Sequence, residues 1–278
     1  MALDDLISRD WLQRRYRFCL ARVRARRGAT ARGMDALIIA GLHREMAAIN
    51  LLLKQTQRAR RHLKRAGEGF LAEGLAHGLV LLALAGDTQV IDDPLARQIV
   101  DAAARAGSVG SAEGPPPRRS AFDLYSPHQW LATFEAAAIA SSLNDAAAGP
   151  TLTVEILSRS LRPQASATTA SGLPFGVMLD LFRIGPADDR EASDAFTTAM
   201  AWRRQALRIA RKDRYHWRLS LDPVALIDFD LLAVFTATGY PNAFLKRPVT
   251  GDEDAELEWL PAAMALQLRR GSDEFGQI

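Results

Sequence analysis

The amino-acid sequence predicts an all-α protein, a multi-helix bundle of roughly eight to ten helices with little or no β-structure. Three observations predict it. Alanine, the strongest helix former, is abundant throughout, while runs of Val, Ile and Thr are scarce. Apolar residues recur at spacings of three and four, the period of one helix face. Glycine, proline and aspartate fall between those segments, where helices start and stop. With 278 residues, 48% of them hydrophobic, the chain can bury a sizeable core. We expect a single helical domain over 1–278: an Arg-rich helical part at 1–106, a flexible loop at 107–120 and a second helical part at 121–270.

The first helix is expected over 4–27, with Leu6, Trp11, Phe18 and the stem of Arg22 on one face and Gly28 as the stop. A second starts near Asp35, where Leu37, Ile38, Leu42, Met46, Ile49 and Leu53 follow the helical period. The pattern then turns cationic through Arg65, and Gly67-Glu68-Gly69 reads as a helix junction. A third helix over 70–85 is apolar nearly all round, which implies burial on several sides. Asp93-Pro94 sets a capping carboxylate before a first-turn proline and opens a helix to Ala106.

The glycines and the Pro115-Pro116-Pro117 run of 107–120 make a long loop. Ser126-Pro127-His128-Gln129 is a capping box opening a helix to Ala148, and 151–161 could be a short strand or a helix. Residues 164–172 are small and polar, a further connection. Asp188-Asp189-Arg190-Glu191 is a second capping box, at the head of the long helix that carries Trp202.

Net charge is +3 but unevenly spread. Residues 1–66 hold sixteen Lys and Arg against five Asp and Glu, a net +11, which leaves −8 for the remainder. Nearly all the cations are arginine, which stays charged when partly buried and pairs bidentately with carboxylates or phosphates. The single Cys19 excludes a disulfide framework and a Cys-based zinc site. The acidic start Met1-Ala2-Leu3-Asp4-Asp5 lacks the features of a signal peptide, and the longest apolar run, 75–85, is too short to span a bilayer. We expect a soluble, cytoplasmic protein that does not engage membranes.

No catalytic motif stands out. His43, His62, His77, His128 and His216 include no pair three or four apart, so no helix presents a metal-binding face and structural or surface roles are expected. His77, inside an apolar segment, reads as a buried, hydrogen-bonded imidazole. No lysine follows a glycine-rich turn, no Gly-x-Ser-x-Gly elbow occurs, and Gly67-Glu68-Gly69 lacks the third glycine of a dinucleotide fingerprint. No catalytic, cofactor-binding or metal-binding residue is assigned, and no cofactor or enzymatic activity is expected.

Asp228 and Asp230 interrupt an otherwise apolar helix. Residues two apart point about 200° apart around a helix, so the pair cannot share one substrate bond, and a structural ion pair with a neighbouring arginine is expected. The basic stretch 58–65 reads as the solvated end of a helix. The N-terminal arginines, interleaved with Trp11, Tyr16 and Phe18, are the better nucleic-acid candidate, although nucleic acid is not the expected partner. Asp252, Glu253, Asp254, Glu256 and Glu258 form an acidic run, expected as a loop into the last helix. It is also a candidate surface for a basic protein partner such as a nuclease, whose groove is built for phosphate.

Residues 196–266 carry the most distinctive pattern. A long helix holds Ala201-Trp202-Arg203 through Arg211-Lys212-Asp213-Arg214. Leu221-Asp222-Pro223 opens a small-residue and leucine-rich helix through Phe235, which closes at Thr238-Gly239-Tyr240, and Trp259-Leu260-Pro261 follows. A weaker echo is the apolar stretch 70–87 ending in Gly86-Asp87. These motifs, over about half of the chain, resemble the bacterial immunity protein 49 family. The Arg-rich first 35 residues and the loop around Pro117 have no counterpart in that pattern.

The resemblance implies a helical immunity protein that protects its producer or kin from a secreted polymorphic toxin, often a nuclease or another effector of contact-dependent or type VI secretion systems. It implies no catalysis and no cofactor. The motif residues Trp202, Asp222, Pro223, Gly239, Trp259, Leu260 and Pro261 then read as structural, with Asp222 a cap, Pro223 setting a first turn and Trp259 anchoring the acidic run. The expected function is thus binding and neutralisation of a cognate toxin by occlusion. The alternative is a helical scaffold or nucleic-acid-binding regulator that uses the N-terminal arginines.

Overall fold

The computed structural model describes residues 8–26, 34–73, 75, 77–86, 177, 181, 189–212, 223–237 and 253–270. These are overwhelmingly helical, and no strand occurs among the described residues. The elements are α1 (Arg9–Arg26), α2 (Met34–Leu52), α3 (Thr56–Ala72), α4 (His77–Leu84), α5 (Asp189–Lys212), α6 (Pro223–Ile227), α7 (Phe229–Ala237) and α8 (Glu253–Arg270). The protein is all-α over this extent, as composition and periodicity predict. The helices expected after Asp93-Pro94 and Ser126-Pro127, the loop at 107–120 and the segments 151–161 and 164–172 lie outside the described residues. No described helix is long and apolar enough to cross a membrane.

Ser8 caps α1, its Oγ accepting the Trp11 amide at 3.1 Å. Asp10 in the first turn and Arg24 and Arg26 in the last suit the helix dipole. The buried face is Leu12, Cys19 and Val23, with Trp11 and Tyr16 packed alongside. This corrects the expected face, because Phe18 is 49% exposed. Arginine stems and a short apolar stretch leave the face ambiguous in sequence; packing against α2 settles it. An ion pair from Arg26 to Asp35 ties the end of α1 to the start of α2.

α2 is buried from Met46 through Leu51, with Ala40, Leu42 and His43 above. It ends in a tight turn where Lys54 takes φ 60° and the Gln55 amide bonds the Asn50 carbonyl at 2.7 Å. α3 then buries Thr56, Ala59, His62, Leu63, Ala66, Gly67, Phe70 and Leu71 along one stripe, with Arg58, Arg61, Lys64 and Arg65 exposed. The cationic segment is therefore a helix of its own, and its outer face is solvated as expected. Arg60 is the exception, reaching the Leu268 carbonyl of α8 at 2.8 Å.

The glycines of 67–69 overturn the expected junction, since α3 runs straight through them. A Cβ on Gly67 would lie 2.6 Å from Leu82 Cγ and 2.8 Å from the Gly78 carbonyl oxygen. One on Gly69 would lie 2.9 Å from Ala40 Cβ. These residues let α3 approach α4 and α2 closely, so packing outweighs the helix penalty of glycine. The break comes later, between Ala72 and His77, which divides the helix expected over 70–85. In the turn the Leu75 amide bonds the Phe70 carbonyl at 2.8 Å.

Gly78 faces Gly67 across that hairpin, and its Cβ would meet the Gly67 carbonyl oxygen at 2.6 Å and the Leu71 amide at 2.9 Å. Backbone cannot rotate aside as a side chain can. Gly78→Ala is therefore expected to destabilise by about 1–3 kcal/mol. A urea midpoint unchanged from wild type would show the hairpin is not so close.

The C-terminal helices complete the core. α5 buries Ala195, Phe196, Ala199, Met200 and Arg203, consistent with the long helix expected there. The apolar helix expected from Pro223 to Phe235 is two helices, broken at Asp228 with φ 51°. α6 packs on α2, α7 on α4, and α8 on α5, α6 and α7. A Gln267–Thr56 hydrogen bond of 2.7 Å, buried at both ends, joins α8 to α3. One contiguous cluster of buried side chains runs from Leu12 through Leu268, and a smaller one holds Cys19, Val23, Leu42 and Met46.

Candidate functional site

Among the described residues, titratable and charged side chains gather at two buried places and on the outer side of α1. The first is where α1, α2 and α3 meet. His43 sits on the buried face of α2 between Leu42 and Met46, and His62 lies on the buried stripe of α3 between Ala59 and Leu63. The antiparallel hairpin brings their Nδ1 atoms to 3.0 Å and stacks the rings with centroids 5.2 Å apart. His62 Nε2 meets the Tyr16 hydroxyl at 3.1 Å, and the two rings pack edge to face.

A neutral imidazole offers one donor and one acceptor, so the three groups form a directed chain: either Tyr16 donates inward or His62 Nε2–H donates to the phenol oxygen. Burial, with the Arg65 and Arg61 guanidiniums beside it, lowers the His62 pKa to about 4 and keeps the ring neutral. Both histidines are buried. Such a chain fixes the register of three helices. No third His, Cys, Asp or Glu joins them in a metal-binding group among the described residues.

Histidine spacing within one helix does not reveal this pair, because its members sit on two helices 19 residues apart. Both histidines occupy apolar-stripe positions, and that was the available signal. His77, at the head of α4, packs edge-on to Phe70 at 6.0 Å, with Arg44 over the same Phe70 ring at 5.4 Å. Burial, and then the Arg44 charge, push its pKa down to about 3. Cys19 is buried, and burial together with the Glu45 carboxylate pushes its thiol up to about 12, so it is held as an unreactive thiol.

The second buried place is the Arg203–Asp228 pair. Arg203 Nη1 donates to Asp228 Oδ2 at 3.0 Å and Nη2 to the Leu226 carbonyl at 2.6 Å. Asp228 Oδ1 accepts the Leu231 amide at 3.2 Å and so caps α7. The side chains are 4% and 5% exposed. Asp228 therefore has the structural ion-pair role expected of it, and is also the breakpoint of the helix it was expected to interrupt. Asp230 lies within α7.

The residues of the C-terminal pattern occupy several settings. Pro223 opens α6 and is buried. Leu260 and Pro261 are buried inside α8, and Trp259 packs edge-to-face on Phe196 at 5.1 Å. Phe196 also meets Phe235 at 5.1 Å, so α5, α7 and α8 share an aromatic cluster. Trp202 is 37% exposed on α5, outside the core clusters. Asp222 and Gly239 lie outside the described residues.

The acidic run is helix rather than loop: Glu253, Asp254, Glu256 and Glu258 lie in the first turns of α8, where carboxylates suit the dipole, and Asp252 lies outside the described residues. Trp259 thus anchors a helix, not a loop.

The surface is the outer side of α1. Arg14, Arg17, Arg22 and Arg24 are exposed there with Phe18. Arg15 lies over the Phe18 ring at 5.4 Å and Arg22 at 5.5 Å, from three residues before and four after. Arg14 pairs with Asp10 at 3.2 Å and Arg15 with Glu45. Trp11 and Tyr16, expected with Phe18 between the arginines, instead pack on the core. Comparison with family models, characterised proteins and solved structures finds no match to this chain.

Proposed function

We propose that this protein is a non-catalytic binding protein of the immunity type, which neutralises a cognate secreted bacterial toxin or effector by occluding it in the cytoplasm. The observation that carries the reading is the residue pattern of 196–266, which resembles the immunity protein 49 family. Its aromatic and proline residues support it physically, since Phe196, Phe235 and Trp259 form one cluster and Pro223, Leu260 and Pro261 are buried. Residues spent on a helical scaffold in this way leave recognition to the surface. Co-expression with the toxin encoded beside it tests the reading: cells are expected to survive and the two proteins to co-purify. Persistent killing with no complex would refute it.

A further inference from the structure

We infer that the outer face of α1, centred on Phe18, is the surface through which this protein takes its partner, and that the partner presents a carboxylate-rich protein surface. The inference rests on the binding reading above and adds to it the surface and the charge of the partner. At about 100° per residue, Phe18 stands in the middle of the solvent side of α1, with Arg14, Arg17 and Arg24 on one flank and Arg22 on the other. Asp10 is the one carboxylate of this helix, and it pairs with Arg14. The Phe18 ring is 49% exposed within this basic field and belongs to neither core cluster.

Interface centres are enriched in aromatic residues and arginine, the two residue types combined here. On α3, which the Tyr16–His62 contact joins to α1, Arg58, Arg61 and Arg65 are also exposed. Guanidinium planes bind carboxylates or phosphates bidentately, so charge alone leaves two classes of partner. The ring decides between them. Arg15 and Arg22 already lie over it and compete with a nucleic-acid base for stacking on the ring. Its edge remains for an apolar cleft between carboxylates on a protein.

The test uses the full chain and the toxin encoded beside it, with Arg17→Glu/Arg22→Glu/Arg24→Glu and Phe18→Ala as variants. All four side chains are exposed, so both variants should fold, checked by an unchanged thermal midpoint. Affinity is expected to fall about 100-fold in the triple variant and about 10-fold in Phe18→Ala, with protection lost in the first and wild-type binding weakened by salt. A triple variant that binds and protects like wild type overturns this surface while leaving the immunity function standing. A wild-type chain that neither binds nor protects removes both. Tight, salt-sensitive binding of a labelled oligothymidylate of about 20 nucleotides, lost in the triple variant, would make nucleic acid the occupant and overturn the inference.

Discussion

Replacing Arg203 by methionine is expected to destabilise the protein by about 3–5 kcal/mol, the cost of leaving a buried carboxylate without its partner. Asp228 is 5% exposed on its side chain and sits at the break between α6 and α7. The Leu226 carbonyl loses a donor in the same step. Asp228→Asn is expected to be milder on the backbone, since asparagine tolerates the φ of 51° and can still cap α7, but it leaves the guanidinium charge unbalanced. The double variant Arg203→Met/Asp228→Asn removes both charges and should recover part of the loss. Denaturant midpoints for the three variants check this. Single variants as stable as wild type would mean that the pair is solvated in solution.

The second large effect is acid lability. His62 and His77 have pKa values lowered to about 4 and about 3, against 6.5 when unfolded. The sign follows from proton counts. Between pH 6.5 and the folded values the unfolded chain binds protons that the folded chain refuses, so stability falls as pH drops through that window. At pH 5 each imidazole is neutral folded and charged unfolded, a loss of up to about 2 kcal/mol apiece relative to pH 7.5.

The groups facing them oppose protonation or are indifferent to it: Arg44 beside His77, and Arg61 and Arg65 beside His62, which also touches Tyr16 and His43. Urea unfolding at pH 7.5 and pH 5 measures the drop, and His77→Leu should shrink it by roughly half. A midpoint that does not move between these pH values would show that the folded protein charges these rings.

The helical class, the starts of α2 and α5, the buried stripe Leu42-Met46-Ile49 and the ion-pair role of Asp228 follow from sequence, because each depends on local period, capping chemistry or the cost of a buried charge. The positions of the breaks did not. Gly67 reads as a stop, yet it is a contact point with Gly78, and the stop lies at Ala72–His77. Asp228 reads as a blemish in one helix, yet it ends α6 and caps α7. A glycine or aspartate can serve either role, and only the neighbouring helix decides which.

The sequence by itself determined that this chain is helical over its described residues and basic in its N-terminal region. Those properties are sums over local residues. The tertiary structure alone decided that His43, His62 and Tyr16 form one chain, that Arg203 is the partner of Asp228, and that Phe18 rather than Trp11 or Tyr16 faces water. The hydrogen-bonded pairs join residues 19 to 46 positions apart on separate elements, and the solvent side of α1 is set by its packing against α2. No one-dimensional period carries the distance between two helices, so that information exists only once they pack.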